Sequence, residues 1–271
     1  EPINDLMAKA GIHVKMTASR QLIAKTVDPN IEILFVRPID IPEYVAKGVA
    51  DIGITGLDMI AERRADVEPI LDLKFGGARL VLAVPEASAV REVADMKGMR
   101  IATEFPNICE DFFKAAGVDV SIVEVAGACE AAPQLGVADA IADLTSSGTT
   151  LEINKLRIVS EVLASTTHVI ANRDSLVEKR EKIDEILLAF ESVMAAAGMC
   201  YLMLNVEREK LDDIKQLIPG LGGPTVMDIA GSTSVSLHAV VSSARVYQLI
   251  NQLKNAGARD ILVLDITRMV R

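Results

Sequence analysis

The chain has 271 residues, half of them hydrophobic, with 38 Asp and Glu against 28 Lys and Arg and a formal net charge of -10. That acidity excludes non-specific capture of nucleic acid or of an anionic membrane surface, and three Tyr with no Trp leave little surface for base stacking. The length suits two or three domains, and three widely spaced cysteines, Cys109, Cys129 and Cys200, without a C-x-x-C pair or a nearby His cluster, fit buried small hydrophobes in a reducing cytosol.

In chain order, residues 2–10 predict a short helix, 31–36 a strand, 41–47 a helix and 51–55 a strand that runs into a helix from Leu57. Strands follow at 80–84 and 100–102, a helix at 107–116, a strand at 121–125, a short helix at 129–135 and a strand at 138–144. Residues 158–163 and 168–171 are strand-like, and 175–198 forms one long amphipathic helix. This alternation predicts an α/β protein with mainly parallel sheets covered by helices. The remainder, strand 201–206, helix 209–217, turn 219–224, strands 225–229 and 234–241, helix 244–255 and strand 260–266, has the β-α-β-β-α-β order of a ferredoxin-like module. The apolar run 193–204, interrupted by Gly198, is far short of the roughly 20 residues a bilayer span needs. No secretory signal precedes Glu1-Pro2, so a cytoplasmic location is expected.

The richest segment is Ala138 to Leu151, A-D-A-I-A-D-L-T-S-S-G-T-T-L. Its strand should carry Asp139 and Asp143 to the mouth of a turn formed by Thr145, Ser146, Ser147, Gly148, Thr149 and Thr150, whose small side chains let backbone N–H groups converge on an anion. Thr149 and Glu152 have capping-box spacing, which starts a helix with its positive end at the turn. Carboxylates repel bare phosphate but accept hydrogen bonds from hydroxyls, so a sugar phosphate is the expected ligand. The alternative is an ordinary polar loop. A second glycine turn, D-I-G-I-T-G-L-D at Asp51, places Thr55, Gly56 and Asp58 at another strand-to-helix junction, for ribose or an adenine amino group or simply as a cap with a packing glycine. Arg20, Lys25, Arg37, Lys74 and Arg79 are the cations available early in the chain, Arg37 foremost because Arg37-Pro38 ends a strand abruptly. A divalent metal would help an acidic protein hold a polyanion. His13, His168 and His238 form no triad and are expected to be structural.

These motifs, with I-A-T-E-F-P-N at Ile101, G-A-C-E at Gly127, P-G-L-G-G-P-T at Pro219 and G-A-R-D-I-L-V-L-D-I-T-R-M at Gly257, occur in one order along the whole chain, which resembles the long form of ATP phosphoribosyltransferase, the first enzyme of histidine biosynthesis. The resemblance implies two lobes like those of periplasmic binding proteins, residues 1–78 with 171–198 and residues 79–170, then a regulatory domain at 199–271. It also implies a first strand and a Lys-Gly turn ahead of Glu1, so that one sheet is expected to lack its first strand. It implies Mg²⁺-dependent condensation of ATP with 5-phosphoribosyl 1-pyrophosphate, with Asp143 on the ribose hydroxyls and Ser146 to Thr150 on the 5-phosphate. Arg37, Asp58 and Phe105, the last standing where Tyr is common in the family, border the same cleft. Thr225 falls on a threonine of the pocket in which the family binds inhibitory histidine between subunits, and Asp260 lies beside the matching region at the last strand; histidine there would stabilise a hexamer over a more active dimer. A non-catalytic two-lobed small-anion-binding protein and an inactive regulatory subunit are the other readings.

Overall fold

The computed structural model describes residues 2–15, 22–218 and 222–270. Arg20 and the 219–221 part of the predicted turn lie outside them. The chain forms two compact units, one of Val14–Asp184 and the other built mainly from Ile3–His13 and Glu185–Arg271.

Helix α1 (Pro2–Lys9) opens the chain and belongs to the second unit. The first unit begins with an antiparallel meander, β1 (Val14–Lys15), β2 (Ile23–Thr26) and β3 (Glu32–Leu34). A single turn at Pro38–Asp40 leads into α2 (Ile41–Ala46), followed by β4 (Ile52–Gly56), α3 (Leu57–Arg63) and β5 (Glu68–Asp72). Then come β6 (Ala78–Pro85), β7 (Arg100–Thr103), α4 (Pro106–Ala116), β8 (Ser121–Glu124), β9 (Ala140–Thr145), α5 (Thr149–Ile153), β10 (Leu156–Ser165), β11 (Thr167–Ala171) and α6 (Arg173–Glu178).

Two sheets organise this unit. In the three-stranded sheet β4-β11-β5, the central β11 is antiparallel to both neighbours. The five-stranded sheet runs β10-β6-β9-β7-β8, parallel across β9, β7 and β8 and antiparallel where β6 and β10 cross. Leu80 to Val84 in β6 are all fully buried, as a continuous apolar run covered on both faces should be. Leu80, Leu82 and Val84 face Ile108, Cys109 and Phe113 of α4, whereas Val81 and Ala83 face Leu151 of α5 and Cys129.

Three predicted boundaries shift, each for a local reason. The helix expected at 129–135 is one turn, Cys129–Ala131, because Pro133 has no N–H to return to the Cys129 carbonyl. The long helix 175–198 is two helices, α6 and α7 (Arg180–Ala196), broken at Lys179. Helix α6 starts early because the Asn172 side chain accepts the N–H groups of Asp174 and Ser175 at 3.0 and 3.1 Å.

The second unit continues with β12 (Met199–Glu207), α8 (Leu211–Leu217), β13 (Thr225–Asp228), β14 (Ser234–Ser242), α9 (Ser243–Asn255) and β15 (Arg259–Asp265). The strand order is β13-β14-β12-β15 with every pairing antiparallel, the ferredoxin-like arrangement. Strict alternation along β12 buries Cys200, Leu202, Leu204 and Val206 against Ile214, Leu249 and Leu253 of the helices. On its opposite face the Tyr201 hydroxyl and the Ser236 hydroxyl flank His238 at 2.9 and 3.0 Å. Among the described residues no helix is long and apolar enough to cross a membrane.

Asn172 also donates to the last carbonyls of α2, at 3.0 Å to Val45 and 3.3 Å to Ala46. Asn172→Ala should therefore lower stability by about 2–3 kcal/mol in urea unfolding, one cap plus unpaired carbonyls.

Candidate functional site

Strand period fixes what β9 presents. Ile141, Asp143 and Thr145 share the α5 face, and Ala140 and Ala142 enter the α4 core on the other. Asp139 is corrected by the same geometry. It lies six residues before Thr145, about 20 Å along an extended strand, and its carboxylate holds the Arg100 guanidinium at 2.8 and 3.2 Å and the Arg100 N–H at 2.9 Å. The Arg100 side chain keeps the pKa of Asp139 below the ordinary carboxyl value. Asp139 therefore fastens the start of β7 to the start of β9 and is not part of the turn.

At the turn itself, Gly148 has φ +82°, a left-handed backbone that an L side chain adopts only with strain. The Thr145 hydroxyl accepts the Gly148 N–H at 2.8 Å, and the Ser147 and Thr149 hydroxyls bond each other at 3.0 Å. Gly148, not Thr149, precedes the first helical residue, and its carbonyl accepts the Glu152 N–H, so the expected capping box is absent. Ser146, Ser147, Thr149 and Thr150 are exposed. Among the described residues the N–H groups of Ser146 and Ser147 have no protein acceptor, and they sit next to each other on an open turn.

Beside this turn lies an excess of negative charge. Burial pushes the pKa of Asp143 up, the Leu144 N–H at 2.8 Å works against it, and Glu130 and Glu104 push it further up. Burial and the same three carboxylates push the Cys129 thiol to about 12, which leaves it a neutral donor to the Ala102 carbonyl at 3.1 Å. Glu104 directly follows β7, and Glu130 sits in the 129–131 turn. Both occur in motifs read from the sequence, yet neither was singled out, because no spacing rule links them to Asp143. Arg79 stands opposite Thr145 across the β6–β9 ladder and pairs with Glu161 at 3.5 Å. An ensemble of open amides next to carboxylates can hold an anion joined to a group rich in hydroxyls.

The β4–α3 and β7–α4 junctions are closed by the protein's own groups. The Thr55 hydroxyl donates to the Pro38 carbonyl at 3.0 Å. Asp58 is buried at the start of α3, where it accepts the Ser165 hydroxyl at 2.7 Å. A Cβ on Gly56 would stand 2.1 Å from that carboxylate, which explains the glycine by packing. Phe105 is a core residue at the start of α4, and the first free N–H groups of that helix, Asn107 and Ile108, go to the buried Glu62 carboxylate at 3.2 and 3.1 Å. Glu62 also escaped sequence reading, since its partners lie more than 40 positions away. Arg37, 80% exposed, pairs with Asp40 at 2.8 Å on a cavity of about 580 Å³ that Tyr44, Lys47 and Arg63 also line.

In the second unit, Thr225 and Asp260 lie on opposite edge strands. Three strand spacings, about 14 Å, separate them, so within one chain they do not converge on one amino acid. Asp260 accepts the Asn205 amide at 3.0 Å.

Comparison with known proteins places this geometry among relatives. Residues 37–192 match the family model described as ATP phosphoribosyltransferase, and residues 196–268 match the one described as HisG, C-terminal domain. Proteins named ATP phosphoribosyltransferase from Methanosarcina acetivorans and Methanocella arvoryzae are 50% and 51% identical, each over 100% of this chain and 95% of the relative. A solved ATP phosphoribosyl transferase (HisG:HisZ) complex from Thermotoga maritima aligns with TM-score 0.62 and 31% identity over 70% of this chain and 92% of that one.

The strain on Asp143 is testable without substrate. A carboxyl whose folded pKa lies above its unfolded value of 3.8 weakens the fold once pH rises through that window. Asp143→Asn should therefore melt above the wild type at pH 7, with the gain shrinking to nothing as pH falls below 3.8; an equal or lower melting temperature at pH 7 would contradict this.

Proposed function

The chain belongs to the ATP phosphoribosyltransferase family, in its long form, and from that premise we propose that the 145–150 turn with Asp143 holds the phosphoribosyl donor. The reaction transfers the 5-phosphoribosyl group of 5-phosphoribosyl 1-pyrophosphate to N1 of ATP, the first step of histidine biosynthesis. The observation that carries the site is the pairing of unpaired Ser146 and Ser147 amides with a partly buried carboxylate whose charged neighbours are negative.

Adenine N1 supplies the electron pair that forms the new bond to ribose C1, while the C1–O bond breaks and its pair leaves with pyrophosphate. Positive charge therefore develops on the ribose ring and negative charge on the leaving group, and the protein's part is positioning and electrostatics. The turn amides, with the Ser146, Ser147, Thr149 and Thr150 hydroxyls, take the 5-phosphate. Thr145 acts one step behind them by fixing the Gly148 N–H. Asp143 accepts the ribose hydroxyls, and the Glu104 and Glu130 charges near it favour the cationic ring. Arg37 is assigned to the anionic parts of ATP or pyrophosphate, a reading supported by the cavity it lines with Arg63. Gly56 and Asp58 shape the purine side through packing.

Mg²⁺ fits the donor chemistry, since one or two of these carboxylates with substrate phosphate oxygens is its usual environment. When bound it would neutralise charge on the departing pyrophosphate. Among the described residues no group of three or more His, Cys, Asp or Glu could hold a metal by itself. We assign the two catalytic lobes to residues 1–78 with 171–198 and residues 79–170, with 3–13 and 185–198 of the first grouped with the module 199–271 in one compact unit, in a cytoplasmic enzyme that assembles as dimer and hexamer. Free histidine inhibits it by binding between modules 199–271 of neighbouring subunits, through Thr225 and Asp260, and so shifts the population toward the less active assembly.

Pyrophosphate release should require ATP, Mg²⁺ and the phosphoribosyl donor together; binding without turnover would favour a non-catalytic binding protein. Asp143→Ala should weaken donor affinity roughly tenfold or more by removing charged hydrogen bonds. A Cβ at Gly148 meets no protein atom within 4 Å, so Gly148→Val should act by strained backbone and by filling the ligand's space, and unchanged donor affinity in both variants would remove the site. Histidine inhibition should persist at saturating ATP and be lost in Thr225→Ala, whereas relief by ATP would show simple competition.

A further inference from the structure

Helix α3 follows β4 in the chain but packs into two cores. Ile60 joins the core containing Val45 and Ile170, and Met59 and Ala61 pack against the core of the five-stranded sheet. Its buried carboxylates lie one turn apart on the same face, Asp58 bonded to Ser165 of β10 and Glu62 to the start of α4. The start of α4 has no cap of its own, because Phe105 makes no side-chain cap bond and Pro106 has no N–H. The Asn107 and Ile108 N–H groups depend instead on the two oxygens of Glu62, and the Asn107 amide returns a bond to the Glu62 carbonyl at 2.9 Å. Arg64, held in a left-handed backbone with φ 47°, adds a second tie to Asp111 at 2.8 Å and to Glu110 at 3.3 Å.

A serine or aspartate at position 105 would satisfy the same donors locally, without taking a carboxylate out of water. The pKa of Glu62 is raised first of all by that burial. What the distant cap adds is a fixed relation between α3 and the residues that lead into α4. Glu104, whose charge acts on Asp143, is among them. The other end of α3 starts at Gly56, on the side assigned to ATP.

We propose that Glu62 is a positioning residue for phosphoribosyl transfer, holding the start of α4 on α3 so that the Glu104 end of β7 and the Gly56 end of β4 keep the spacing at which donor and acceptor meet. This rests on the function proposed above. Glu62 touches neither substrate, so its removal should spare donor binding at the 145–150 turn and slow the step that needs both substrates aligned.

The test compares Glu62→Ala, Glu62→Gln and Glu62→Asp in the full chain, with thermal melting to count folded protein. Wild-type turnover and donor affinity check the underlying reading, and the ratios of variant to wild type check Glu62 alone. Per folded molecule, Glu62→Ala should lose about tenfold or more in kcat with donor Kd within about twofold, because misplacement rather than lost contact is the defect. Glu62→Gln, which keeps the reach and one of the two acceptor oxygens but sets its NH2 against the other N–H, should recover only part of kcat. Glu62→Asp, which keeps the charge but is one methylene short, should behave like alanine and remains informative if alanine does not fold. Wild-type kcat in folded Glu62→Asp, or a donor Kd that worsens in step with kcat, would overturn the proposal.

Discussion

A carboxylate taken partly out of water next to other carboxylates is unfavourable unless something else enters the site, and Asp143 is in that position. Its hydrogen bond from Leu144 N–H does not offset burial and the charges of Glu104 and Glu130. Three and four residues further on, just past the strand, the turn offers the opposite deficit, the Ser146 and Ser147 N–H groups without acceptors. On the reading proposed above, a phosphorylated sugar relieves both at once, its phosphate on the amides and its hydroxyls on the carboxylate. On the same reading the ring sits among negative charges that suit the cationic character it gains as the C1–O bond breaks, and the free protein gives up some stability for the substrate-bound state.

The same physics explains why the turn before α5 remains open while the starts of α3 and α4 are closed. Helix starts attract anions, and α3 and α4 each receive a buried carboxylate from the chain itself, Asp58 and Glu62. Those internal bonds turn the starts of α3 and α4 into joints, and the proposed donor site falls at the 146–148 turn instead. The acidity of the whole chain has a local counterpart here: cations such as Arg37 and Arg63 are held near carboxylates rather than set free, so charge acts where geometry directs it.

Much of the architecture was legible because it depends on period and breakers. The strands at 80–84 and 201–206 were read from their apolar residues, and the order of the last six elements gave the ferredoxin-like module, whereas which face of β12 is buried emerged only from the structure. The Ser-Thr-Gly turn was legible as a type of chemistry. Distance along a strand was not: Asp139 and Asp143 share a face, yet Arg100 claims the first at the far end. Long-range pairs were equally hidden. Glu62 with Asn107 and Asp58 with Ser165 join positions 45 and 107 apart, and nothing local announces them. Thr149 was expected to cap α5, but Gly148 with its left-handed backbone takes that place.

The central claim is about where one small molecule sits. A structure of the protein soaked in ribose 5-phosphate tests it most directly. The account places the phosphate oxygens on the Ser146 and Ser147 amides and the ribose hydroxyls on Asp143. Ribose 5-phosphate bound at another place, with that turn bare, would contradict it.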